Sequence, residues 1–292
     1  MKTLYVTDLD GTFLNREGRL SGFSRRTVQS LVSSGLLFTF ATARSLSSAS
    51  RAMEGLDLRT PVITYNGVFL IRPDTGEILE KNCFTSMEAK RIQDLMEKLD
   101  ISPLVYSIID GRERLSWDVT RQNPGRENYL SRRKGDRRLR PLLDGRGLYD
   151  GEIFYFLGVG KRDELLPLQE AVKNDNRCIS FLQKELYQPE YFCEIMPAEA
   201  TKANAIRRLK ALLGCGRVIT FGDAVNDIPM FRVSDECYAV ENAVEELKAA
   251  ATGVIASNEQ DGVAKWLLEN GVIDGNAEIG RKSGFRGRTR DI

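Results

Sequence analysis

The sequence predicts an α/β fold: a parallel sheet crossed by helices, with a second α+β unit inserted into it. Three observations carry this expectation. Short apolar runs of strand length alternate with helical stretches at both ends of the 292-residue chain, the rhythm of βαβ crossovers. Between residues 83 and 189 that rhythm gives way to a different order of helices and strand-like runs. The length also exceeds what one hydrophobic core usually supports, so two domains are expected.

The elements follow in order. Leu4-Tyr5-Val6-Thr7 is a short apolar strand. Ser24 is expected to cap a helix running to about Ser34, with Gly35 suited to its C-terminal stop. Residues 36–41 read as a buried strand, followed by Thr42-Ala43-Arg44-Ser45, a helix to about Gly55, and a short strand over 61–65. A hairpin over 68–81, turning near Asp74-Thr75-Gly76, interrupts the alternation. The inserted unit then offers a helix (87–99), two strand-like runs around Gly111, an arginine-rich stretch, a strand (153–159), a helix (163–173) and a strand (178–182). Alternation resumes after Ile195 with a helix over 202–213, the strand 217–221, and a further helix, strand and helix to Asn270. A sheet built from both ends of the chain is therefore expected, with a core of residues 1–82 and 190–270 and an inserted cap of residues 83–189. Residues 271–292, rich in Gly and Arg and without apolar periodicity, are expected to form a flexible tail.

Composition narrows the chemistry. A 42% hydrophobic and 28% charged chain with 42 basic against 41 acidic residues and a net charge of +1 is an ordinary globular composition. That balance argues against wholesale nucleic-acid binding, although residues 112–146 hold eleven Lys or Arg against five Asp or Glu. A solvated loop is the expectation for that stretch, with an anionic-substrate or nucleic-acid surface as the sharper alternative. Nothing resembles a membrane span, and Asp8 arrives too soon for a signal-peptide core, so a cytoplasmic location is expected. The five widely spaced cysteines contain no C-x-x-C pair and read as reduced thiols. A chain with no histidine cannot use a Ser-His-Asp or Cys-His arrangement, nor a histidine-ligated zinc. Its chemistry must run on carboxylates, lysine, hydroxyls or a bound cofactor.

Asp8-Leu9-Asp10-Gly11-Thr12 stands where the first strand gives way to a turn. In extended chain the side chains of residues i and i+2 share a side, so Asp8 and Asp10 can face one site beyond the strand end, where open α/β sheets bind ligands. Two carboxylates so close repel each other unless a hard cation such as Mg2+ lies against them. An Asp-Gly turn is the purely structural alternative. Thr42, leaving the second strand, offers a hydroxyl to phosphate oxygens. Lys202 opens a helix with a compact positive charge. Gly222-Asp223-Ala224-Val225-Asn226-Asp227 places two more carboxylates after the strand ending at Phe221. Each has a structural alternative as a cap or surface residue. Together, four acids, a hydroxyl and a lysine at one sheet edge form a set suited to metal-dependent phosphoryl transfer, in which cations offset the charge of a phosphomonoester.

These residues resemble the four motifs of the haloacid dehalogenase (HAD) superfamily, in its Cof-type branch of capped sugar-phosphate and small phosphomonoester phosphatases (HAD-IIB-like). D-x-D-G-T matches Asp8 to Thr12, T-x-R matches Thr42-Ala43-Arg44, the lysine motif matches Lys202, and G-D-x-x-N-D-x-x-M matches Gly222 to Met230. The stretch Asn258-Glu259-Gln260-Asp261-Gly262-Val263-Ala264 and the pair Asn66-Gly67 also resemble features of the branch. The resemblance implies a Rossmann-like HAD core and a Mg2+-dependent phosphatase that works through an aspartyl-phosphate. Asp8 would be the nucleophile and Asp10 the general acid and base. Asp8, the Asp10 carbonyl and Asp223 would hold the metal, with Asp227 on its bound water. Thr42, Lys202 and the amides of Leu9 and Ala43 would bind the phosphoryl group, Asn226 would help position Lys202 or the phosphate, and Arg44 and Asn66 would contact the rest of the substrate. Ala43 replaces the glycine usual in that branch, and the arginine-rich excursion of the cap is unusual for it. A phosphomutase, or a regulatory protein that binds phosphate without turnover, are the alternatives. The expected partner is a small phosphorylated metabolite, with neither membrane nor nucleic acid, in a monomer or homodimer.

Overall fold

The computed structural model describes residues 1–121, 123–184 and 189–273. The first part of the chain forms β1 (Thr3–Thr7), α1 (Gly22–Ser33), β2 (Leu37–Phe40), α2 (Leu46–Ala52), β3 (Val62–Thr64), β4 (Phe69–Ile71) and β5 (Ile78–Lys81). The middle forms α3 (Ser86–Lys98), β6 (Leu104–Ile109), β7 (Arg112–Asp118), α4 (Pro124–Ser131), β8 (Leu139–Leu142), β9 (Glu152–Gly160), α5 (Arg162–Val172), β10 (Cys178–Lys184) and β11 (Tyr191–Pro197). The last part forms α6 (Lys202–Leu213), β12 (Arg217–Gly222), α7 (Ile228–Phe231), β13 (Glu236–Val240), α8 (Glu245–Ala249), β14 (Gly253–Ile255) and α9 (Gly262–Asn270).

The chain divides into two compact units, Met1–Glu80 with the chain from Thr201 onward, and Lys81–Ala200. The first is built on a five-stranded sheet in the order β14-β13-β12-β1-β2, every neighbouring pair parallel. Its inner strand β1 is wholly buried, as a strand covered on both faces must be. Trp266 of α9 lies 5.2 Å from the Phe221 ring and 4.6 Å from the Tyr238 ring, and tilts against Tyr5 at 6.3 Å, so one aromatic residue covers β1, β12 and β13 together. The antiparallel set β3-β4-β5 carries the expected hairpin, and a parallel bridge between Ala41 and Ile63 ties it to the end of β2.

The second unit is a six-stranded sheet in the order β10-β11-β9-β6-β7-β8. Its core joins Ile92 and Met96 of α3 and Leu165 and Leu168 of α5 to Val105, Phe156, Cys193 and Ile195 of the sheet.

Four expectations change. The second boundary falls between residues 200 and 201 and not at 189/190, because β11 pairs antiparallel with both β9 and β10. The first falls two residues earlier, at 80/81 and not 82/83. Ser24 does not cap α1; Ser21 does, accepting from the Ser24 amide at 2.9 Å, while the Ser24 hydroxyl donates to Asp261. The arginine-rich stretch is not a solvated loop but holds α4 and β8. Asn123 caps α4 ahead of Pro124, and Arg126, 2% exposed, donates to Ser102 Oγ and to the carbonyls of Asp118 and Arg121. Arg138 pairs with Asp136 and Glu113, and Arg140 with Asp150. Much of the positive charge is thus taken up inside the unit.

The expected tail lies outside the described residues from 274 onward; before that, the Val272 amide donates to the Tyr5 hydroxyl at 2.9 Å and Ile273 is buried. Among the described residues no helix is long and apolar enough to cross a membrane.

Candidate active site

In the five-stranded sheet the chain leaves β1 for β2 on one side and later enters β12 on the other. The crevice beyond the ends of β1 and β12 is therefore the point where the winding reverses, the place where open α/β sheets bind ligands. Asp8 follows β1 directly and Asp223 follows β12.

Asp8 is buried, its amide donating to the Phe221 carbonyl at 2.9 Å. Lys202, 3% exposed at the first position of α6, donates to Asp8 Oδ1 at 2.5 Å and to Asp227 Oδ1 at 2.8 Å. An ammonium at a helix N-terminus sits at the unfavourable end of the macrodipole; the two carboxylates offset that. Asp227 is wholly buried, and its Oδ2 accepts from the amides of Asp223 and Ala224 at 3.0 and 3.2 Å. Thr12 Oγ1 donates to Asp223 Oδ1 at 2.6 Å. The preceding Gly11 has φ +79°, and a Cβ there would lie 2.3 Å from Asp223 Oδ2, so a side chain at this turn would displace Asp223.

Burial pushes Asp8 up to about 8, against the pull of Lys202 and with Asp227 and Asp223 adding to the rise. Burial likewise raises Asp223 to about 6, opposed by its bond from Thr12 and reinforced by Asp227. Burial works against the Lys202 ammonium, but Asp227 and Asp8 outweigh it and hold Lys202 above the ordinary lysine value. Carboxylate oxygens of Asp8, Asp223 and Asp227 lie within 4.8 Å of one another. An all-oxygen set with three acids against one ammonium fits a hard divalent cation, which would relieve the repulsion that raises Asp8.

Asp10 is exposed at the mouth of the crevice, and Arg44 grips it with Nε to Oδ2 at 2.7 Å and Nη2 to Oδ1 at 2.5 Å. Bidentate pairing of this kind fixes orientation as well as charge. Arg44, expected to reach the rest of a substrate, is instead engaged with Asp10. Thr42 is buried beside β3, its amide donating to Ile63 O and its hydroxyl accepting from the Arg44 amide. The amides of Leu9 and Ala43 donate to no acceptor among the described residues. Asn226 is exposed and has no bond to Lys202; the 3-10 turn Val225–Asp227 turns Asp227 inward in its place.

Asn66 follows β3 in the left-handed region at φ 55°, its amide donating to Thr42 O at 2.9 Å while its buried Oδ1 has no hydrogen-bond partner. The next residue, Gly67, has φ +108°, and a Cβ there would stand 2.2 Å from the Thr201 carbonyl oxygen. That carbonyl belongs to the cap residue of α6, so neither side can yield without moving Lys202. Gly67→Ala is expected to cost about 3 kcal/mol by urea unfolding, combining a backbone clash with a positive φ.

Comparison with protein families matches residues 5–267 to the haloacid dehalogenase-like hydrolases. The chain belongs to that family. Within it, the order and form of the motifs place this haloacid dehalogenase-like hydrolase in the Cof-type branch. It is 28% identical over 287 residues to the 5-amino-6-(5-phospho-D-ribitylamino)uracil phosphatase YwtE of Bacillus subtilis, covering 91% of this chain and 97% of that one. Among solved structures, TM0651 from Thermotoga maritima is 26% identical with a TM-score of 0.76, covering 93% of this chain and 98% of that one. The HAD subclass IIB sugar phosphatase BT4131 shares the fold at a TM-score of 0.66 and 20% identity, covering 91% and 98%. The chain is an enzyme of the family's phosphatase type.

Two contacts at the site leave no trace in the sequence. Thr12 belongs to the first motif, yet its hydroxyl has the separate task of orienting Asp223. Asn242, whose side-chain amide donates to the Gly11 carbonyl at 2.8 Å, stands in no motif and carried no signal beyond following a strand.

Proposed function

We propose that this chain is a Mg2+-dependent phosphomonoesterase that hydrolyses a small phosphorylated metabolite, with a sugar or sugar-alcohol phosphate as the favoured class. The observation that carries the reading is the buried Lys202 ammonium held 2.5 Å from Asp8 and beside Asp223, at the switch point of the sheet. The favoured class follows the branch the motifs resemble and the phosphoribityl ester named for the Bacillus subtilis relative.

Asp8 attacks phosphorus through a carboxylate oxygen, and the bond from phosphorus to the ester oxygen breaks with its electron pair on that oxygen. Asp10 gives its proton to the departing alkoxide, then takes one from the water that attacks the phosphorus of the aspartyl-phosphate, releasing Asp8 and inorganic phosphate. Lys202 and the Thr42 hydroxyl bind the phosphoryl oxygens, joined by the Leu9 and Ala43 amides, donors with no acceptor of their own among the described residues. Asp8, Asp223 and the Asp10 carbonyl would hold Mg2+, with Asp227 beside it; bound there, the ion supplies positive charge against the phosphoryl oxygens. Asn66, with its unpartnered Oδ1, is suited to a substrate donor, and Arg44 sets the orientation of Asp10. The inserted unit, Lys81–Ala200, is assigned the choice of ester. A cytoplasmic location completes the reading, supported by five free thiols suited to a reducing compartment.

The test is phosphate release from p-nitrophenyl phosphate and a panel of sugar phosphates. Release is expected with Mg2+, at least about 100-fold lower in EDTA, and restored by excess Mg2+. Activity indifferent to EDTA would overturn the metal assignment, and an isomerised phosphate ester in place of free phosphate would point to a mutase.

A further inference from the structure

The chain after Asp10 has no regular structure until α1, and it is held by its own turn and by side chains from elsewhere. It begins as a tight turn in which the amides of Thr12, Phe13 and Leu14 all converge on the Leu9 carbonyl, at 3.3, 3.0 and 2.8 Å. The outward carbonyls of that turn are met by residues beyond the ends of β13 and β14. Asn242 Nδ2 donates to Gly11 O at 2.8 Å, and Asn258 Nδ2 donates to Leu14 O at 2.9 Å. The two asparagines are themselves joined, the Asn258 amide donating to Asn242 Oδ1 at 3.0 Å.

The same segment continues the hold. Glu259 Oε1 accepts from the Arg16 amide at 2.6 Å, and Asp261 accepts from the hydroxyls of Ser21 and Ser24. The segment is tightly wound: Asp261 is left-handed at φ 60° and a Cβ on Gly262 would fall 1.8 Å from the Ala256 carbonyl oxygen, so glycine is required there. Asp10 therefore has its carboxylate gripped by Arg44, and the carbonyl of the next residue, Gly11, gripped by Asn242.

We propose that Asn242 and Asn258 are positioning residues that hold the Asp10 loop in its working geometry, and that the Asn258–Gly262 segment serves as their clasp. The proposal rests on the phosphatase reading for Asp10, but its structural half can be tested apart from turnover. Asn242→Asp and Asn258→Asp are near-isosteric and replace the donor with an acceptor.

The decisive comparison is between leaving groups. A p-nitrophenolate departs as a stable anion without a proton, whereas the alkoxide of a sugar phosphate needs the proton from Asp10. In either variant the ratio of kcat/KM for the fastest sugar phosphate of the panel to kcat/KM for p-nitrophenyl phosphate is expected to fall about 10-fold or more. An unchanged ratio, with both substrates slowed alike or neither slowed, would overturn the positioning role.

Hydrogen exchange on the full chain supplies the second measurement. The amides of Thr12, Phe13 and Leu14 are expected to exchange at least about tenfold faster in each variant, as local opening becomes easier. Unchanged exchange would overturn the clasp. If the unmodified protein turns over neither substrate, the phosphatase reading fails, and the exchange data alone decide the clasp.

Discussion

Asp8→Asn is expected to lower kcat by at least about four orders of magnitude, about 5 kcal/mol of transition-state stabilisation, while leaving the fold intact. The amide keeps the shape of the carboxylate but cannot form the acyl phosphate. Stability should not fall with activity, and the sign follows from the direction of the shift. A carboxyl group raised to about 8 in the folded protein opposes folding at any pH above its unfolded value. Replacing it with a neutral group removes that opposition at pH 7, so the unfolding midpoint without Mg2+ should match or exceed that of the unmodified chain. The stabilisation given by added Mg2+ should shrink in the variant, since one ligand is weakened. Measurable turnover within tenfold of the unmodified protein would remove Asp8 from the role of nucleophile.

Lys202→Met is expected to be the most destabilising single change at the site. The methionine fills the volume of the lysine stem, but Asp8, Asp223 and Asp227 then face one another without their ammonium. Removing one partner of a buried pair costs about 3–5 kcal/mol, and urea unfolding at pH 7 should show a loss of that order. The loss should lessen as the pH is lowered, because Asp8 and Asp223, raised in the folded state, become neutral first there. Asp227→Asn in the same chain should recover part of it, the amide oxygen still accepting from the Asp223 and Ala224 amides. Strict additivity of the two substitutions, or a loss below about 1 kcal/mol, would mean that the three residues do not act as one charged unit.

The sequence made the core of this site legible because its motifs stand at strand ends, where backbone topology alone brings them together. Asp8 after β1, Thr42 after β2, Lys202 opening α6 and Asp223 after β12 needed only the alternation of strands and helices to be placed at one edge. What stayed hidden depends on side-chain direction within a turn. Asn226 and Asp227 are neighbours in one motif, and only the 3-10 turn decides that the aspartate enters and the asparagine stays in solvent. The engagement of Arg44 with Asp10 spans thirty-four positions in sequence and leaves no local trace. The arginine-rich stretch misled for a related reason: many of its acceptors are backbone carbonyls, such as those of Asp118 and Gly147, which composition does not record. β11 has no clear strand signal because Glu194 interrupts its apolar run, and its place is set by pairing with β9 and β10 on either side.

The chain has two tryptophans, and they fall one to each unit: Trp117 lies in β7 of Lys81–Ala200, and Trp266 in α9, packed tilted and edge-on among Tyr5, Phe221 and Tyr238. Intrinsic fluorescence can therefore be made domain-specific by a single substitution. With Trp117→Phe the remaining emission belongs to the aromatic layer directly beneath β1 and β12, and with Trp266→Phe it belongs to the inserted sheet. A chain composed in this way carries two built-in optical reporters, each tied to a different folding unit, and no external label is needed to follow the two separately.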